Sequence, residues 1–70
     1  MPTYFTHAEA KSKLGKTVKT KTVFFQLPHG SIGKVIDIYK MGNLYGLSVS
    51  WGDITDGFSK DDYYEFLEEV

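Results

Sequence analysis

The 70-residue chain contains no cysteine and no arginine, only two prolines and two histidines, and no apolar run near membrane-spanning length. Each scarcity closes a class of explanation. Without cysteine there is no disulfide staple, no thiolate metal site and no thiol nucleophile, and such a composition fits an intracellular, cytoplasmic protein. Without arginine the chain lacks the planar fork that grips phosphate and guanine in two places at once. A bilayer span needs ~20 apolar residues, so no membrane association is expected. The opening Met-Pro-Thr-Tyr-Phe-Thr has no basic segment followed by an apolar one, and no secretory signal is expected there.

What the chain has instead is aromatic surface: five phenylalanines, five tyrosines and one tryptophan. Domains below about 70–80 residues usually need disulfides or metals, because so short a chain buries too little of itself. Rings bury a large area for few rotatable bonds, so they replace the missing staples in a single domain spanning residues 1–70. Eleven rings exceed what one small core requires, which singles out Tyr4, Phe5, Tyr39, Tyr45 and Tyr64 as partly exposed.

Charge is divided along the chain. Residues 1–40 hold seven lysines against Glu9 and Asp37, a balance of +5, and residues 41–70 hold Lys60 against seven acids, a balance of −6. Two halves so opposed either recognise something outside or offset each other on folding.

Thr6-His-Ala-Glu9 has the spacing of a capping box, and Gly15 is a natural helix stop, so a short helix is predicted over 7–14. Residues 16–26 are rich in threonine, valine and phenylalanine and read as a first strand. Leu27-Pro-His-Gly-Ser31 is a turn, Ile32–Lys40 a second strand, and Met41-Gly-Asn43 a tight hairpin. The clearest period-two pattern follows, with Tyr45, Leu47, Val49 and Trp51 alternating with Gly46, Ser48 and Ser50. Residues 52–57 leave room for a short fourth strand. Ser59 then caps a C-terminal helix whose Tyr63, Phe66, Leu67 and Val70 fall on one apolar stripe. Glu68 and Glu69 sit badly at the negative end of such a helix. Short antiparallel strands between two short helices predict a small, mainly β barrel, monomeric or weakly dimeric.

The stretch Leu27-Pro-His-Gly-Ser-Ile-Gly-Lys-Val35, with the Leu-Ser-Val-Ser-Trp51 strand after it, resembles the hairpin of SH3-like barrels, KOW-type modules included. The ending Gly57-Phe-Ser-Lys-Asp-Asp-Tyr-Tyr-Glu-Phe-Leu-Glu-Glu69 is similar to that of a group of small bacterial proteins of no established activity. The resemblance implies an SH3-like antiparallel barrel of four to five short strands with a helix at each end. It carries no ligand across: the Ala-Leu-Tyr-Asp-Tyr first strand and paired tryptophan of proline-peptide binders are absent, and KOW modules are richer in basic residues.

Catalysis needs a reactive group and a partner held in a pocket. His7 lies in a capping segment and His29 at a turn tip, both ordinary places for a polar residue. The pairs Asp61-Asp62 and Glu68-Glu69 diverge if helical, and Gly30-x-x-Gly33-Lys34 lacks the spacing of a phosphate loop. No catalytic residue, metal or cofactor is expected, and the chain does not read as an enzyme. The leading expectation is a protein-interaction module or accessory subunit, presenting Tyr39, Tyr45, Trp51, Tyr64, Glu65 and Glu68. The alternative is weak nucleic-acid binding through Lys16, Lys19, Lys21, Lys34 and Lys40, with Tyr39 or Phe25 for stacking. The same lysines also suit a solvated strand edge that resists aggregation.

Overall fold

Thr6 opens the first helix as its spacing predicts. Its hydroxyl accepts from the Glu9 amide at 3.2 Å while the Glu9 carboxylate accepts from the Thr6 amide at 2.9 Å, and Gly15 at φ 83° turns the chain away. The computed structural model describes residues 3–21 and 27–70. The elements run α1 (His7–Lys13), β1 (Thr17–Thr20), β2 (Ile32–Met41), β3 (Leu44–Ser50), β4 (Thr55–Phe58), α2 (Lys60–Phe66) and β5 (Leu67–Glu69). All pairings are antiparallel and give one sheet in the order β4-β3-β2-β1-β5. Among the described residues β4 and β5 are its two edges, so the five strands of the small barrel expected from the sequence are paired as an unclosed sheet. The mainly β class with two short helices stands.

The β2–β3 hairpin turns on Gly42 at φ 65°, with Met41 opposite Leu44. The alternation predicted in β3 holds: Leu47 and Val49 are fully buried, and Tyr45 and Trp51 pack against the core from the same face. β2 does not alternate strictly. Its register shifts between Val35 and Asp37, with Ile36 as the extra residue, 52% exposed. Strict alternation would put Asp37 on the same face as Val35. The bulge resets the count, so Val35 and Ile38 both face the core while Asp37 and Tyr39 turn outward. The Asp37 carboxylate accepts the Ile38 amide at 2.8 Å at this irregularity.

One face of the sheet carries the core, in which Phe5, Val18, Val35, Leu47, Val49, Phe58, Tyr63 and Leu67 are buried together. α1 lies on β3 and β2 through Ala10, which is fully buried; a methyl-sized side chain lets the helix sit close. Phe5 is 1% exposed, against the sequence reading of a partly exposed ring. Its amide and carbonyl both bond to Tyr45 at 2.8 Å, which extends the edge beyond β4 and drives the ring inward.

The C-terminus departs most from expectation. The helix stops at Phe66, and Leu67 is extended at φ −123°, ψ 152°. Leu67 is buried by pairing with Thr20 rather than through a helical stripe, and Val70 is 76% exposed. The driving force is the unpaired edge of β1, whose amides and carbonyls need partners: Lys21 donates to Phe66 at 2.8 Å and Thr17 accepts from Val70 at 2.9 Å. Of the described residues in the predicted first strand, Thr17–Thr20 form β1. β1 ends at Thr20, and the predicted strand residues 22–26 lie outside the described residues. Thr20 is fully buried and organises the following turn: its hydroxyl donates to Pro28 at 2.9 Å and accepts from the Ser31 amide at 3.0 Å.

Candidate interaction surface

The outward face of the sheet is built from residues with little side chain. Register places Ser50 and Thr55, Ser48 and Gly57, and Gly46 in successive rows on that side. Tyr39 crosses them. A methyl group at Gly46 would fall inside the far end of the Tyr39 ring, and one at Gly57 would lie 3.1 Å from it. The ring therefore reaches from β2 over β3 to β4, seated on two glycines. The small residues alternating in β3 make that seat.

Around Tyr39 the face becomes apolar. Met41 and Leu44 are cross-strand partners beyond it, 45% and 38% exposed. Tyr4 precedes the inward Phe5, so chain alternation turns it outward beside Gly46, and it is half-buried. Burial raises the Tyr39 hydroxyl above its ordinary pKa, with smaller contributions from the nearby Tyr4 hydroxyl and Asp62 carboxylate. Tyr4, Tyr39, Met41 and Leu44 thus form one aromatic and aliphatic patch with Asp62 at its border.

A second cluster ties the termini together. Lys13 at the end of α1 donates to Glu69 at 2.6 Å, and the buried Tyr63 donates its hydroxyl to the same carboxylate oxygen at 3.0 Å. The Lys13 ammonium also stands 5.6 Å from the Tyr63 ring centre and 5.4 Å from that of Tyr64. The hydrogen bond from Lys13, helped by that from Tyr63, lowers Glu69 below an ordinary 4.5. The bond to Glu69 raises Lys13 above 10.5, and burial first, then Glu69, raises Tyr63 well above 10.0. Glu69 therefore stabilises the fold above the ordinary carboxylate range, and that contribution drains as pH falls through its lowered folded value. Tyr63 and Lys13 stabilise the fold below their ordinary values and cease to do so as pH rises through their raised ones. Thermal unfolding followed against pH should show stability falling at both extremes. Glu69→Gln should flatten the acid limb and Tyr63→Phe the alkaline one; unchanged limbs in these variants would contradict the assignment.

The residues predicted for protein contact do not share one surface. Tyr39 lies on the outward face, while Tyr45 and Trp51 pack from the core side. Tyr45 stands 5.0 Å from the His7 ring, and Trp51 stands 6.3 Å from Phe58. The Trp51 indole N–H is buried and has no hydrogen-bond partner among the described residues. Tyr64 is exposed on α2 beside Phe5 and Tyr63, Glu65 is exposed nearby, and Glu68 pairs with Lys19 at 3.3 Å. Met41 and Leu44 were missed because a turn sequence explains both without a binding role. Their signal was two exposed-type apolar residues flanking Gly-Asn.

The lysine set is dispersed as well. Lys19 and Lys34 face outward by register, whereas Lys40 pairs with Tyr45 on the opposite face. Lys21 donates to the Tyr64 carbonyl at 2.6 Å, Lys16 is exposed just before β1, and Phe25 is outside the described residues. All three ion pairs among the described residues, Lys13–Glu69, Lys19–Glu68 and Lys60–Glu9, join one half of the chain to the other. The opposed charges thus offset each other on folding, at least in part. Among the described residues no group of acids and histidines could hold a metal ion, and no helix is long and apolar enough to cross a membrane. Comparison with protein-family models, curated proteins and solved structures found no match for the chain.

Proposed function

We propose that this chain is a small non-catalytic interaction module of the SH3-like kind, docking a protein partner on the outward sheet face around Tyr39. The strand order supports the fold reading, since a four-strand meander is followed by a helix and a last strand that returns beside the first. The function rests on one observation: a half-exposed tyrosine seated on two glycines, continued by the exposed pair Met41 and Leu44. Rigid, partly apolar rings are favoured interface anchors, and exposed apolar residues gathered together mark contact sites more than scattered ones do. The nucleic-acid alternative draws no comparable support, because Lys19 and Lys21 are engaged within the fold and Lys40 faces away.

Affinity capture from native extract, with and without nuclease, tests the reading when wild type is run beside Met41→Asp with Leu44→Asp. Both positions are exposed, so the double variant should fold. The expected result is a captured protein that survives nuclease and is reduced at least about tenfold by the variant, the equivalent of one hot-spot contact of ~1.4 kcal/mol. Capture abolished by nuclease, or indifferent to the variant, contradicts the proposal.

A further inference from the structure

Twice this fold places a lysine over an aromatic ring and gives its ammonium a carboxylate as second partner. Lys13 stands over Tyr63 and Tyr64 and bonds Glu69, and Lys60 stands 5.9 Å from the centre of the Phe5 ring and pairs with Glu9 at 3.3 Å. The outward face repeats two of these three parts. Tyr39 supplies the ring, its underside on Gly46 and Gly57, and Asp62 lies in the first turn of α2. That turn is tied to the residue before Tyr4, by the Lys60 amide donating to the Thr3 carbonyl at 2.6 Å and the Thr3 amide donating to Asp61 at 2.7 Å, and the Asp62 charge acts on the Tyr39 hydroxyl. Asp37 lies two residues away on the same side of β2. Among the described residues neither Asp37 nor Asp62 has an ion-pair partner, and no lysine stands over Tyr39. Lys34, the cation on this face nearest along β2, is opposite Ser50 while Tyr39 is opposite Gly46. Four strand residues separate them by roughly 14 Å, beyond the ~8 Å screening length at physiological salt.

We propose that this surface seats one arginine or lysine side chain from an extended segment of the partner, the cation over the Tyr39 ring and facing Asp62. The apolar neighbours of that side chain lie on Met41 and Leu44. This deepens the docking reading above and rests on it. A nucleobase could stack on the same ring, but its phosphates would be brought against Asp37 and Asp62. A neutral apolar segment would use Met41 and Leu44 and leave the carboxylates unused.

The test is an NMR titration of the full chain with the peptide acetyl-Gly-Leu-Arg-Leu-Gly-amide, set against the same peptide with citrulline, the neutral isostere, for arginine. The arginine peptide should shift the amides of Tyr39, Gly46, Gly57 and Leu44 with a millimolar midpoint. The citrulline peptide should bind about fivefold to tenfold more weakly, the size of an exposed cation–π contact with a carboxylate beside it. Asp62→Asn, at an exposed position that leaves the core intact, should weaken the arginine peptide severalfold and leave the citrulline peptide unchanged. Equal binding of both peptides on this face overturns the cation seat and leaves the docking face standing. Shifts elsewhere, or none at millimolar peptide, overturn both.

Discussion

Tyr63→Ala should lower the thermal unfolding midpoint by roughly 12–40 °C, while Tyr63→Phe should cost about 1 kcal/mol. Tyr63 is the largest fully buried side chain, set edge-on to Phe5 at 5.7 Å. Removing a buried ring costs roughly 3–5 kcal/mol through lost transfer energy and the cavity left behind. A 70-residue domain has about 4–10 kcal/mol of stability in total, so the truncation removes a third or more of it. The phenylalanine variant keeps the ring and its packing. It loses only the hydroxyl bond to Glu69, whose carboxylate retains Lys13, and one such bond is worth ~1 kcal/mol. With ~4–8 °C of midpoint per kcal/mol in a domain of this size, calorimetry separates the two outcomes easily. Equal loss from both variants would mean that the carboxylate network, and not the ring, holds the C-terminal elements.

Phe66 shares the predicted stripe with Tyr63 but is only partly buried, and the reason lies in what a sequence can encode locally. The helical stripe through Tyr63, Phe66, Leu67 and Val70 reads correctly for its first turn and fails afterwards. Period alone cannot tell a helix from a helix that ends and becomes a strand, because Leu67 is buried either way. The clue was electrostatic. Glu68 and Glu69 oppose the dipole of a helix that continues to Val70, and they make sense only once the chain is extended and brings them to Lys19 and Lys13. The unpaired edge of β1 decided the matter, and an edge is a property of the assembled sheet.

The caps, the hairpin and the alternation of β3 were legible because each depends on residues within a few positions of one another. The interaction surface was half legible for the opposite reason. Tyr39 stood out as an aromatic in excess of the core, but its neighbours come from four separate segments: Gly46, Gly57, Tyr4 and Asp62. The bulge at Ile36 is what turns Tyr39 outward, and its only local trace is an aspartate that strict alternation would have put on the core side. Charge division was visible and its resolution was not, since two halves of opposite sign offer binding and self-pairing equally until the register is known.

Gly33→Ala should be the most damaging of the glycine substitutions, and Gly46→Ala should be damaging only while Tyr39 is present. At Gly33 an added methyl lies 2.5 Å and 2.7 Å from the Trp51 ring and 2.9 Å from the Ser50 carbonyl oxygen. The ring also packs edge-on to the buried Phe58 at 6.3 Å, and the carbonyl belongs to the residue registered opposite Lys34, so neither can retreat cheaply. Overpacking of this kind costs about 1–3 kcal/mol, or roughly 4–24 °C of midpoint. Trp51→Leu in the same chain should restore only part of it, because the carbonyl stays. At Gly46 the three atoms nearest the methyl all belong to the distal end of Tyr39, which can swing off the sheet. The midpoint should fall less, and the chain should lose the arginine peptide. In a Tyr39→Ala background the same substitution should turn stabilising by ~0.5–1 kcal/mol, the backbone-entropy gain of alanine over glycine in a strand. A Gly46→Ala cost that persists without Tyr39 would mean the ring does not rest on that glycine, and the outward platform would go with it.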